Sequence, residues 1–221
     1  FNYKPDTQLN LKPIEQNIKA YAYRSVAMGM ISSTRGIRGI EIRGIDPENE
    51  QLVTKLADNI VEGDYLNSDV SRGILVSTEL AEKLKLKLRK KVALRFQDAK
   101  NNLVDGGFRI VGLFKTDNSM YDESVVFINR TQFNKLIGEK DIAHETAILV
   151  NDFEELESVY QKIKESNDHL LVRDYTEIAP DIALFNSQIK LTTLIFTIIV
   201  MLGLIFGIIN TMLMAVLERI R

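Results

Sequence analysis

His144 and His169 are the two side chains of this 221-residue chain best suited to proton transfer near neutral pH or to metal ligation. Neither sits in a ligand spacing such as H-E-x-x-H. His144, beside Glu145 at the start of an apolar run, reads as a surface residue, and His169, after Asn167-Asp168, reads as a turn residue. Asp46, Asp64, Asp105 and Asp117 fall in or near loops. Two of them meeting in space would make an acid–base pair, although turn chemistry alone accounts for aspartates at such places. The stretch "RGIRGIEIRG" sets Arg35, Arg38 and Arg43 close together. That suits a phosphate or lipid headgroup, and equally the solvated face of a strand and its turn. Asn129-Arg130-Thr131 matches a glycosylation acceptor but stands at a predicted helix start and carries no weight. The chain has no cysteine, which excludes disulfides, thiol catalysis and thiolate metal sites and leaves the redox compartment open. With no G-x-S-x-G and no Walker A, the expectation is a chain without catalytic, cofactor or metal-binding residues of its own.

The residues with the clearest spacing lie at the other end. Gly203 and Gly207 form G-x-x-x-G, and Asn210 and Met214 continue that helical face. Glycines so spaced let a second helix approach closely, and an amide in an apolar environment seeks a partner across the interface. The face belongs to Leu191–Leu217, 27 residues without a charge. A hydrocarbon core of about 30 Å needs about 20 helical residues, so this run is predicted to span a membrane. A single-span anchor has little use for such a face, which points to a multi-span protein. Arg219 and Arg221 follow the span, while Lys190, Asp181 and Glu177 precede it, and the positive-inside rule places the C-terminal end in the cytoplasm. Because Phe1 is not methionine, the chain reads as an excised fragment whose signal or earlier membrane helix lies outside it.

Net charge is −2; the last four residues contribute +1 and the span nothing, so residues 1–190 carry −3. That balance offers no electrostatic case for nucleic acid. Within residues 1–190, helix and strand signals alternate. Pro13–Ala22 reads as an amphipathic helix, Arg24–Ser32 and Gly39–Asp46 as strands around "SSTRG", and Pro47–Ala57 as a helix begun by proline after aspartate. Gly73–Ser77 reads as a buried strand, Thr78–Leu88 as a helix with Leu80, Leu84 and Leu88 on one stripe, and Lys91–Asp98 as a strand alternating Val92, Leu94 and Phe96. Phe108–Thr116 and Ser124–Asn129 are further strands, followed by a helix with Asn129 and Gln132 as a capping box and Gly138 at its end. Glu145–Asn151 reads as a strand, Asp152 opens a helix, and Leu170–Tyr175 is a closing strand. Thr176 or Asp174 is placed to cap a helix that runs unbroken from about Asp181 to Arg221, a stalk as well as an anchor of ~60 Å. The fold class is α+β: one layer built from both chain ends, 1–61 and 141–180, with a β-rich block, 62–140, inserted; 181–190 is stalk, 191–217 membrane helix and 218–221 its cytoplasmic exit.

The closing "INTMLMAVLERIR" resembles the second membrane helix of MacB/LolC/FtsX-type ABC transporter permeases, where it runs on into a cytoplasmic coupling region. "RGIEIRGIDPENE", "GILVSTELAEKLKL", "FRIVGLFKTDNSMYDESVVFINRTQFNKLIG" and "LLVRDYTEIAP" follow in the order of the periplasmic core domain of that family, and "RGIDP" with Asp-Tyr-Thr-Glu-Ile is similar to the lipoprotein-releasing LolC/LolE branch. The resemblance implies a protein of the bacterial inner membrane whose residues 1–190, a porter-like extracytoplasmic domain, lie in the periplasm, with ATP and Mg bound by a cytoplasmic ABC ATPase and none in this chain. It implies as further partners a second permease copy or paralogue, a periplasmic carrier, adaptor or lipoprotein, and membrane lipid, but no nucleic acid. Glu218, Arg219 and Arg221 match the approach to the ATPase. The implied work is mechanotransmission, with release of lipoprotein as its use; MacB-like efflux of drugs or peptides and FtsX-like activation of a cell-wall hydrolase are the alternatives. A domain of ~190 residues is large for the FtsX type.

Overall fold

A computed structural model describes residues 9–67, 72–98 and 102–219. The chain forms two compact units, Phe1–His169 and Leu170–Arg221.

In the first unit a 3₁₀ turn, Lys12–Asn17, precedes the long strand β1 (Ile18–Ser33), β2 (Gly36–Ile45), α1 (Pro47–Val53), β3 (Ile60–Gly63) and β4 (Gly73–Ser77). Then come α2 (Thr78–Leu84), β5 (Lys91–Gln97), β6 (Leu103–Phe114), α3 (Ser119–Asp122), β7 (Val125–Asn129), α4 (Arg130–Leu136), β8 (Glu145–Val150) and α5 (Leu156–Ser166). Antiparallel pairs β1–β2, β7–β4, β6–β5 and β5–β1 join with parallel pairs β2–β7 and β4–β6, and these six pairings close the sheet on itself. β3 lengthens the wall beside the end of β6, and β8 pairs with residues 18–24 of β1. Strands of segment 62–140 and strands of the two chain ends thus share one hydrogen-bonded sheet.

Closure follows from patterning. On β5 the alternation Val92, Leu94, Phe96 turns inward, and Ile31, Ile40, Ile42, Ile74, Val76, Ile110, Val126 and Ile128 fill the same interior. Leu84 of α2 lies against Gly36 at one end of β2, and Phe133 of α4 against Gly44 at the other, so a helix plugs each end. β4 and β7 are buried on both faces because Leu75, Phe114, Val125 and Phe127 meet a second cluster with Leu56 and Leu66.

The structure corrects several expectations, among them the helix opened by Asp152, which begins only at Leu156. Pro13–Ala22 is not a helix: after one 3₁₀ turn the β-branched and aromatic run from Ile18 enters β1, where β8 offers it a partner. Helix α1 ends at Val53, where β-branched Thr54 is extended and its side chain folds back onto Glu50. Helix α2 stops at Leu84, because Lys85 turns left-handed (φ 50°), and Leu88 packs on the core from a loop. Leu170–Tyr175 pairs with no strand among the described residues. Instead the Asp174 carboxylate accepts hydrogen bonds from the Thr176 and Glu177 amides and starts a short helix, α6 (Tyr175–Ile178).

In the second unit Ala179 (φ −133°) separates α6 from α7 (Pro180–Arg219), 40 residues of uninterrupted helix opened by proline. Residues 220–221 lie outside the described residues.

Candidate functional site

Two features of the chain are built for more than packing: the apolar face of α7 and a belt of charge on the first unit. Within Leu191–Leu217 an 18-residue stretch reaches a mean hydropathy of 2.6, and none of it is buried within the chain. A helix apolar on every face and covered by nothing requires lipid or other helices around it. A shallow groove runs along it past Gly203, Gly207, Thr211 and Ala215. A Cβ on either glycine would meet nothing, so the backbone there is open to close approach. Thr211 donates to the Gly207 carbonyl at 2.8 Å, which keeps its hydroxyl satisfied in an apolar medium. Asn210 and Met214 are exposed and flank this groove. Glu218 and Arg219 close α7, and Arg221 falls outside the described residues.

The charge belt starts from Arg24 on β1. Its guanidinium forks onto Glu50 of α1, Nη2 to Oε1 at 2.7 Å and Nε to Oε2 at 2.9 Å, while Nη1 reaches Glu145 of β8 at 3.2 Å. Arg43 of β2 pairs with Glu41, approaches Glu145 at 3.6 Å, and lies over the Tyr121 ring at 5.7 Å. Burial opposes the charge of Arg24, but the hydrogen bonds and field of Glu50, aided by Glu145, more than offset it and hold the pKa above the ordinary arginine value. The same contest, won by Tyr121, Glu145 and Glu41, raises Arg43. Burial and then the carboxylates Glu50 and Asp46 push the Tyr65 phenol up, and its buried hydroxyl has no hydrogen-bond partner among the described residues. Two cations and three carboxylates thus clasp β1, β2, α1 and β8 together. Nothing in the clasp is a nucleophile beside a base.

The other sequence candidates separate. Arg38 and Arg43, five residues apart on one strand, face opposite sides of the sheet, and Arg35 lies in the hairpin turn, so the three make no single anion site. His144 is not a surface residue: it is half-buried, its Nδ1 accepts from the Val26 amide at 3.2 Å, and its ring meets Phe133 edge-on at 6.0 Å. Burial lowers its pKa below the ordinary value, with Glu145 opposing. His169 stays exposed, 3.6 Å from Asp168. Asp105 binds Arg95 of the neighbouring strand, and Asp46 accepts from Asn49. Among the described residues no group of three or more His, Asp or Glu is placed to hold a metal. Sequence reasoning missed Glu50, 1% exposed, and Asp122, 0% exposed, which takes the Thr116 amide and hydroxyl at 2.7 Å each. The signal for Glu50 was weak: an acidic residue three after Pro47 looks like ordinary first-turn chemistry.

A scan with protein-family models finds no match, and a search among curated proteins finds none either. Solved structures do match. The extracellular domain of the noncanonic ABC-type transporter YknZ from Gram-positive bacteria is 15% identical with a TM-score of 0.54, over 76% of this chain and 85% of that one. The periplasmic region of MacB from Actinobacillus actinomycetemcomitans is 11% identical with a TM-score of 0.55, over 83% of this chain and 84% of that one. At these identities the likeness establishes a shared fold.

Proposed function

We propose that this chain is the extracytoplasmic domain and the following membrane helix of an ABC transporter permease. One observation carries the proposal: an α/β unit with the fold of the YknZ and MacB outer domains continues, in the same chain, into an apolar helix long enough to cross a bilayer. Residues 1–190 then lie outside the cytoplasmic membrane and Arg219 and Arg221 at its inner face, in keeping with the charge asymmetry. A cytoplasmic ATPase binds ATP and Mg and drives the cycle, and its motion enters through the coupling region approached by Glu218, Arg219 and Arg221. The unbroken α7 passes that motion toward the outer domain, because 40 helical residues resist bending far better than a loop. Gly203, Gly207, Asn210 and Met214 pack on another helix of the permease or its second copy.

For the cargo, the "RGIDP" and Asp-Tyr-Thr-Glu-Ile elements support lipoprotein release through a periplasmic carrier; the fold likeness to MacB favours efflux as the second reading. Two arms test this on the full-length protein in its host. A single cysteine introduced as Gln51→Cys, on the exposed face of α1, is expected to react with a membrane-impermeant maleimide in spheroplasts; protection until lysis sinks the permease topology. Depletion followed by membrane fractionation is expected to strand lipoproteins in the inner membrane. Normal sorting with new drug sensitivity turns the assignment to efflux.

A further inference from the structure

One end of the barrel carries a dense and unopposed positive charge. Lys85, Lys87, Arg89 and Lys90 lie in the loop after α2, Lys91 begins β5, and Arg109 stands directly opposite Lys91 on β6. All six are exposed, and none has an acidic partner within ion-pair distance among the described residues. Lys83, which does find Glu123, is outside the group. The alternation in "KLKLKLR" sorts the loop: Leu84, Leu86 and Leu88 pack on the core, so every intervening cation points to solvent. The loop is pinned, with the Arg89 amide on the Ile110 carbonyl at 2.8 Å and the Ile110 amide on the Lys90 carbonyl at 3.0 Å.

This display is costly to folding. Like charges face each other at Lys91 and Arg109. Lys85 (φ 50°) and Arg89 (φ 65°) take left-handed backbone that glycine or asparagine adopts at lower cost. The chain as a whole is −2, so apart from these six cations it carries −8. The hairpin tip beside Leu84, with exposed Arg35, Ile37 and Arg38, extends the surface.

We infer that this basic end binds an anionic lipid surface. The cations stand exposed around a pinned loop, with no aromatic platform for bases and with Ile37 as the one exposed apolar side chain among the residues named. Such a surface suits a diffuse sheet of headgroup charge. It rests on the membrane-spanning reading of α7, which tethers the first unit to a bilayer through the same chain, and it does not depend on the transporter reading.

The test uses the full chain inserted in a neutral-lipid nanodisc, mixed with phosphatidylcholine vesicles with or without phosphatidylglycerol and separated by flotation. Binding to the anionic vesicles alone is expected, weakening steeply with salt. Changing Lys85, Lys87 and Lys90 to glutamine lowers the partition roughly 100-fold, at about fivefold per cation. The same positions as arginine retain binding, as does glutamine at the distant Lys12, Lys19 and Lys55, and thermal melts confirm that each variant is folded. Equal binding to neutral vesicles, insensitivity to the triple glutamine change, or equal loss with the distant set overturns the inference. So does tighter binding of an acidic peptide or an oligonucleotide, which reassigns the patch. Failure to insert into the nanodisc sinks the membrane-spanning reading and the choice of lipid with it. Insertion without vesicle binding sinks the inference alone.

Discussion

Glu50 keeps a carboxylate in the interior because Arg24 approaches it with two parallel hydrogen bonds and Thr54 with a third at 3.1 Å. Deleting one partner leaves the other buried without compensation. Glu50→Ala is expected to cost about 3 kcal/mol, near the low end for a broken buried pair since Glu145 still holds Arg24. Chemical denaturation measures it, and a loss under ~1 kcal/mol would show the clasp to be ornamental. His144 makes a prediction of opposite character. Its folded pKa is depressed, first by burial, and protonating Nδ1 removes the acceptor of the Val26 amide. The unfolded chain, with a value of about 6.5, therefore takes up the proton first. Stability is full above that value and declines as pH falls from there toward the lower folded value. Thermal melts from neutral pH downward should show the decline in the parent and a flatter profile in His144→Phe. Parallel curves would clear His144 of the effect.

At the level of elements, the barrel closes where β1 crosses β5, and Gly29 is the residue that lets it. A Cβ there would stand 2.7 Å from the Arg95 carbonyl oxygen, 2.8 Å from the Phe96 Cβ and 2.9 Å from the Ile42 Cδ1. Backbone cannot step aside as a side chain can, so Gly29→Ala should lose about 1–3 kcal/mol. Gly39, on the neighbouring strand with nothing within 4 Å, is the matched control, and its alanine variant should be neutral within about 0.5 kcal/mol. Equal effects at the two positions would mean that closure does not depend on this approach. Element identity was legible where one signal dominated: β5 from its strict alternation, α4 from its Asn129 cap, which accepts from the Thr131 amide, and α7 from length and apolarity. It was illegible where pairing decided. Residues 18–22 form a strand because β8 lies alongside, and Leu170–Tyr175 does not, although its composition is as strand-like.

Across the whole molecule, the two units obey different rules. The first buries its apolar side chains behind a closed sheet; the second exposes a run of 27 uncharged, mostly apolar residues. That contrast, and with it the expectation of a membrane helix, was written into the sequence alone, because hydrocarbon thickness and helix rise leave little freedom in how such a run is used. The outward charge asymmetry and the absence of thiol chemistry were equally plain, since they depend on composition and order and on nothing folded. Contacts between residues far apart in sequence were not. Arg24 finds Glu145 across 121 positions, and the Ser25 hydroxyl finds Asn134 across 109. The basic end of the barrel hid inside an apparent helix, because a left-handed Lys85 converts a stripe of leucines into an alternation and turns every intervening cation outward. Periodicity is local and survives in the one-dimensional record. Closure of the barrel, and the pairing of buried charge that goes with it, exists only once distant strands have met, and so tertiary structure alone decided it.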